Sequence, residues 1–136
     1  MISLVSDMEI SERITIPAGK YVEIDGKGNT ISRADDSTNI VSSGAAGKNA
    51  MLRVEGTASI KNLTIDAKGD DTHRLRGVVV LGTANLTNCA ITGAYVPNDW
   101  GGALVAGGGT INLDNCTITR NTAKIVDIHH IRRCGH

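Results

Sequence analysis

The stretch Gly82-Thr83-Ala84-Asn85-Leu86-Thr87-Asn88-Cys89-Ala90-Ile91-Thr92 decides the fold, because the chain writes it three times. The earlier version is Gly56-Thr57-Ala58-Ser59-Ile60-Lys61-Asn62-Leu63-Thr64-Ile65-Asp66, and the later one is Gly109-Thr110-Ile111-Asn112-Leu113-Asp114-Asn115-Cys116-Thr117-Ile118-Thr119. Asn88 follows Asn62 by 26 residues, and Asn115 follows Asn88 by 27. A fixed period of this size marks a solenoid, whose rungs bury their apolar faces only against one another. Stacked rungs lie about 4.8 Å apart, so equivalent residues form columns. Three inward columns are expected: Leu63 with Cys89 and Cys116, Ile65 with Ile91 and Ile118, and Ile60 with Leu86 and Leu113. Asn62, Asn88 and Asn115 form a polar column at a turn, where Asn amides bond readily to neighbouring backbone. Cys89 and Cys116 are expected to be reduced thiols packed as small apolar groups. Their spacing of about 4.8 Å exceeds the roughly 3.5–4.5 Å between the β-carbons of a disulfide.

Outward from the repeat, Met51-Leu52-Arg53-Val54, Val78-Val79-Val80-Leu81 and Ala103-Leu104-Val105 each precede a Gly-Thr turn. Each rung therefore holds one strand before that turn and two short strands after it. Residues 33–49 form a polar excursion around a short strand at Ile40-Val41. The spacing Leu113-x-x-Cys116-x-Ile118 also fits a leucine-rich repeat. Such a repeat needs a helix or a leucine-bearing extended segment between its strands, whereas here the intervening sequence is β-branched or rich in glycine. Three short strands per rung describe a parallel β-helix instead.

Ile14-Thr15-Ile16-Pro17-Ala18-Gly19-Lys20, followed by Ile24-Asp25-Gly26-Lys27-Gly28-Asn29-Thr30-Ile31, resembles the opening rung of right-handed parallel β-helix proteins of the pectate-lyase-like superfamily. Gly101-Gly102-Ala103 and Asn115–Ala123 resemble later rungs of its bacterial surface and adhesin-like members. The resemblance spans residues 12–123. It implies an all-β, right-handed, single-stranded parallel β-helix of about four to five rungs. It also implies an extracellular or cell-surface location, and it specifies a fold far better than an activity, since the superfamily mixes lyases, hydrolases, adhesins and passive stalks. The expected organisation is an N-terminal cap at 1–13, the β-helix at 14–123, and a C-terminal cap or truncated rung at 124–136.

Composition narrows the function. The 136 residues make one domain, with 14 basic and 14 acidic side chains. A neutral balance argues against a general nucleic-acid or anionic-membrane binder. No apolar run is long enough to span a membrane, and residues 1–7 lack the pattern of a signal peptide. Phenylalanine is absent and the aromatics are Tyr21, Tyr95 and Trp100, so small branched side chains must fill the interior.

The segment Asp70-Asp71-Thr72-His73-Arg74-Leu75-Arg76 is the best catalytic candidate. It joins two rungs on the outside of the stack, the kind of face on which β-helix enzymes cleave acidic polysaccharides. A lyase needs its substrate carboxylate neutralised and a base to remove the α-proton; a hydrolase needs two carboxylates. Asp70 and Asp71 offer the acids, Arg74 or Arg76 the base, and His73 lies among them. Against this, neighbouring acids tend to point apart, and a polar loop is ordinarily just solvated. Asp99 and Trp100 offer a sugar-stacking platform in the next inter-rung loop. In the tail, His129, His130, Cys134 and His136 are metal-competent, though no paired cysteines support a zinc site and a cap strand is the plainer reading.

The leading expectation is a non-catalytic structural or binding module that holds a glycan along a sheet face or on the loops at 67–76 and 94–101, with no cofactor. The alternatives are a polysaccharide lyase or glycoside hydrolase using Asp70–Arg76, and a self-assembling module that stacks or homodimerises through its C-terminal edge, where strand edges stay open.

Overall fold

A computed structural model describes residues 1–35, 50–71, 73–97 and 102–123, together with the backbone of 128–129 and 132–133. The described residues are all-β, without a helix. The strands come in cycles. The first is β1 (Ile2–Ser3), β2 (Met8–Ile10) and β3 (Ile14–Ile16); the second is β4 (Tyr21–Asp25), β5 (Thr30–Arg33) and β6 (Ala50–Val54). The third is β7 (Thr57–Lys61), β8 (Thr64–Asp66) and β9 (Arg76–Val80); the fourth is β10 (Thr83–Thr87), β11 (Ala90–Thr92), β12 (Tyr95–Val96) and β13 (Leu104–Ala106). The fifth is β14 (Thr110–Asp114), β15 (Thr117–Ile118), β16 (Thr122–Ala123) and β17 (Ile128–His129), and β18 (Arg132–Arg133) begins another.

Sheet A runs β1-β4-β7-β10-β14-β18, sheet B β2-β5-β8-β11-β15, and sheet C β3-β6-β9-β13-β17, with β12 and β16 as a separate pair. Every strand pairing is parallel. The chain visits A, B and C always in that order, an arrangement consistent with a parallel β-helix. Residues 1–13 supply β1 and β2, the first strands of sheets A and B, so the segment expected as a cap lies within the sheets. Residues 128–129 and 132–133 extend sheets C and A at the other end. The strand expected at Ile40-Val41 lies outside the described residues.

The columns expected from the repeat stand in register. Ile31, Ile65, Ile91 and Ile118 align across sheet B, and Ile24, Ile60, Leu86 and Leu113 across sheet A. The pairing of Ala90 with Thr64 and Thr117 sets Cys89 level with Leu63 and Cys116. Sheet C adds Leu52-Val78-Leu104 and Val54-Val80-Ala106. These aliphatics fill the interior between the three sheets, and most are fully buried. Each contributes about 1.5–3 kcal/mol through burial. Alternation is what exposes the other face: in β7, β10 and β14 every second residue is buried and the rest are polar.

The buried guanidinium of Arg33 donates to the carbonyl oxygens of Ala67 (3.2 Å), Ala34 (2.9 Å) and Lys68 (2.8 Å). These bonds satisfy backbone carbonyls just beyond the ends of β5 and β8.

Candidate functional site

Two outer surfaces gather polar side chains. The first is the segment after β8. Gly69 lies so close to the next rung that a β-carbon there would stand 2.5 Å from Cβ of Tyr95. Asp70 and His73 then close on each other as an antiparallel bridge, with N···O distances of 3.0 and 3.1 Å. One carboxylate oxygen of Asp70 accepts the His73 backbone N–H at 2.8 Å and faces His73 Nδ1 at 2.9 Å. Asp71 accepts a 2.7 Å hydrogen bond from the Tyr95 hydroxyl. That bond holds the phenol protonated and raises its pKa, with partial burial adding to the effect and the nearby Arg74 charge opposing it. Leu75 and Tyr95 exchange backbone hydrogen bonds of 3.1 and 2.9 Å, which fixes the segment to the fourth cycle.

Four of the five expected catalytic residues therefore cluster: Asp70, Asp71, His73 and Arg74. The two acids serve different partners, Asp70 the imidazole and Asp71 the phenol. Arg74 is exposed, whereas Arg76 lies in β9 and is only 3% exposed, paired in register with Ala50. Tyr95 escaped the sequence reading because it belongs to the following rung, and only the fold brings it alongside. Asp99 and Trp100 lie outside the described residues, as do His130, Cys134 and His136; His129 is described only as backbone in β17. Among the described residues no group of three or more His, Cys, Asp or Glu side chains converges on a metal position.

The second surface is the outer face of sheet A. Tyr21, Thr57, Thr83 and Thr110 form one column, and Glu23, Ser59, Asn85 and Asn112 form the next. Asn112 donates from its amide to Asn85 at 2.8 Å, and Asn85 donates to Ser59 at 3.4 Å. The Tyr21 hydroxyl donates to Glu23 at 2.9 Å and lies 3.5 Å from the Ser59 hydroxyl, while the residue as a whole stays 60% exposed. A shallow groove of about 280 Å³ runs along this face past Glu23, Ser59, Lys61, Asn85 and Thr87.

At the sheet A to sheet B corner stands the expected asparagine column. Asn115 donates to Asn88 at 2.5 Å, Asn88 to Asn62 at 3.4 Å, and Asn62 to the Asp25 carboxylate at 3.2 Å. All three asparagines adopt positive φ, between 52° and 56°, a conformation Asn tolerates better than most residues. The column ends on Asp25, whose pKa is lowered chiefly by the Lys27 backbone N–H at 2.9 Å. These amides hold the turn and each other, as a structural column should.

No protein-family model, no curated protein and no solved structure matches this chain.

Both described cysteines are free thiols, Cys89 buried and Cys116 half-buried. The Cys116 thiol donates to Leu86 O at 3.3 Å and the Cys89 thiol to Thr87 O at 3.4 Å. Burial pushes the Cys89 pKa up from 9.0 to about 11. An alkylating reagent should therefore modify Cys116 well before Cys89 in the folded protein, as peptide mapping by mass spectrometry would show. Equal labelling would mean that the rung carrying Cys116 opens freely and uncovers Cys89. Because folding raises the Cys89 pKa, its contribution to stability is complete below pH 9 and declines as pH rises through 11.

Proposed function

We propose that this chain is a right-handed, single-stranded parallel β-helix of the pectate-lyase-like kind. In this reading it serves as a non-catalytic binding module of a surface or secreted protein and holds an extended polysaccharide. The fixed A-B-C order of parallel sheets supports the β-helix, and the hand follows from the strong right-handed preference of parallel crossovers. The observation that carries the binding role is the outer face of sheet A. There an exposed tyrosine ring adjoins a ladder of hydroxyls and amides that repeats over three successive strands, β7, β10 and β14. A sugar chain offers apolar C–H faces for an aromatic ring and hydroxyls for amides. A polymer lying across the strands would meet a like polar group at each step of about 4.8 Å.

The test is affinity electrophoresis against neutral and uronate-containing polysaccharides. Wild type should be retarded by at least one of them, and Tyr21→Ala should weaken that affinity about tenfold. Tyr21 is largely exposed, so its loss leaves the stack intact. Equal retardation of the two proteins, or none of either, would rule this face out.

One observation favours a second reading. Asp70 holds His73 Nδ1 at 2.9 Å, beside an exposed Arg74, so an oriented imidazole base stands next to a cation that can neutralise a uronate. A lyase would release unsaturated product from the same polysaccharides and lose that activity in His73→Ala. A binding module releases none.

A further inference from the structure

The tyrosine of sheet A lies down along its strand. Tyr21 pairs with Thr57, and Glu23, two residues on, pairs with Ser59. Yet the Tyr21 hydroxyl sits 2.9 Å from the Glu23 carboxylate and 3.5 Å from the Ser59 hydroxyl, so the ring leans along β4 to the next outward position. A serine hydroxyl stands one carbon above its backbone. A phenol oxygen beside it is held low, whereas a tyrosine standing perpendicular to a sheet carries its oxygen far out into solvent. With its tip pinned near the sheet, Tyr21 presents a ring face outward rather than an edge, and it remains 60% exposed.

Glu23 does the pinning. A phenol has one proton, and at 2.9 Å the carboxylate takes it; a hydrogen bond to a charged acceptor is roughly twice as strong as a neutral one. The phenol oxygen is left to accept from Ser59. Ser59 in turn accepts from Asn85 at 3.4 Å, and Asn85 from Asn112 at 2.8 Å, so the donors of the ladder all point toward the carboxylate. Platform and ladder share one line: Glu23, Ser59, Asn85 and Asn112 are direct register partners on β4, β7, β10 and β14. At the spacing of neighbouring strands that line is roughly 14 Å long.

Resting on the glycan-binding role of this face, we propose that its ligand is a ribbon-shaped polysaccharide, whose successive sugar rings stay in one plane, and that Glu23 is the positioning residue that holds the Tyr21 platform for it. A sugar stacked on an outward ring face lies parallel to the sheet with its C–H face down. A diequatorially linked chain keeps the next sugars in that plane, and the hydroxyls at its edges come within reach of the Ser59, Asn85 and Asn112 side chains. A coiling chain turns away from a straight line of side chains within a few sugars and loses the ladder.

Affinity electrophoresis of the whole chain tests this with two ribbons, galactomannan and polymannuronate, and two coiling chains, amylose and polygalacturonate. Each pair holds a neutral polymer and a uronate, which separates shape from charge. Wild type should be retarded by at least one ribbon and by neither coil. Toward that ribbon, Glu23→Leu and Tyr21→Phe should each weaken affinity about fivefold, while Glu23→Gln, which keeps a carbonyl acceptor, should stay within about twofold of wild type. The two losses should not add in the double variant, since both cut the same bond. Retardation by a coil as strong as by either ribbon would overturn the ribbon and leave glycan binding standing. Additive losses would overturn the positioning role, because Glu23 would then touch sugar itself. No retardation by any of the four would end the glycan-binding role and the ribbon with it. Tyr21 and Glu23 are both exposed, so each variant should keep the melting curve of wild type. NMR contacts between the Tyr21 ring and Ser59, present in wild type and lost in Glu23→Leu, read the positioning without sugar; their absence from wild type would overturn it.

Discussion

Replacing Gly82 with alanine should cost about 3–5 kcal/mol, enough to unfold a domain of this size. Gly82 has no unusual φ; what it lacks is room. A β-carbon there would press on the carbonyl oxygen of Gly56 and stand 2.5 Å from that of Glu55. Gly56 and Gly109 are in the same position: a β-carbon on Gly56 would strike the Pro17 and Lys20 carbonyls, and one on Gly109 would lie 2.5 Å from Gly82 O. The three Gly-Thr turns stack backbone on backbone, with Thr83 N donating to Gly56 O and Thr110 N to Gly82 O, both at 2.9 Å. A methyl at Gly82 must push two rungs apart, breaking the first of those bonds and opening the columns on either side. Backbone cannot yield as the end of a flexible side chain can. Gly107 is the control: nothing lies within 4 Å of its would-be β-carbon, so Gly107→Ala should change stability by no more than about 0.5 kcal/mol. Urea unfolding of the two variants beside wild type measures both. A Gly82→Ala midpoint close to that of wild type would show that the rungs are looser than this geometry allows.

The same glycines show where the sequence is legible and where it is not. The phrase beginning at Gly56, Gly82 and Gly109 reveals the period, and with it the Ile65-Ile91-Ile118 and Ile60-Leu86-Leu113 columns, because a repeat of constant length forces equal positions onto one another. It suggests only a turn at each glycine; the absence of space there is a contact between rungs, invisible along the chain. The first two cycles are harder to read. Their A-to-B corners take four residues each, Leu4–Asp7 and Gly26–Asn29, where the third takes two, Asn62 and Leu63, and neither carries the Gly-Thr phrase. The candidate sites divide in the same way. Asp70 and His73 are three residues apart and could be paired from sequence. Tyr95 reaches Asp71 across a rung, and Tyr21 joins the polar ladder only through the register of β4 on β7. The polar face of sheet A is scattered through the sequence as single residues that are 26 to 38 positions apart.

Ile91→Asp should be the more damaging substitution at the centre of the stack, with no folded population expected. Ile91 is 1% exposed and lies between Ile65 and Ile118 in the sheet B column. A β-carbon on Gly77 would stand only 2.5 Å from its Cγ2, so the side chain already fills the space between sheets B and C. The substitution removes an aliphatic contribution of about 1.5–3 kcal/mol and leaves a gap among neighbours that cannot collapse, since their backbones are tied into three sheets. It then places a carboxylate where only aliphatic groups can meet it, and an unpaired buried charge costs more than the gap. Ile91→Val separates these effects, because it keeps the position apolar and should lose only about 0.5–1.5 kcal/mol. The Asp variant also carries a pH signature. Burial favours the neutral acid, so any folded fraction should grow as pH falls below the ordinary carboxylate range and vanish as pH rises. Circular dichroism of Ile91→Asp across acidic to neutral pH, with Ile91→Val alongside, gives the comparison. A cooperative, wild-type-like transition for Ile91→Asp at neutral pH would mean that position 91 reaches water and that the interior of the stack is not where the columns place it.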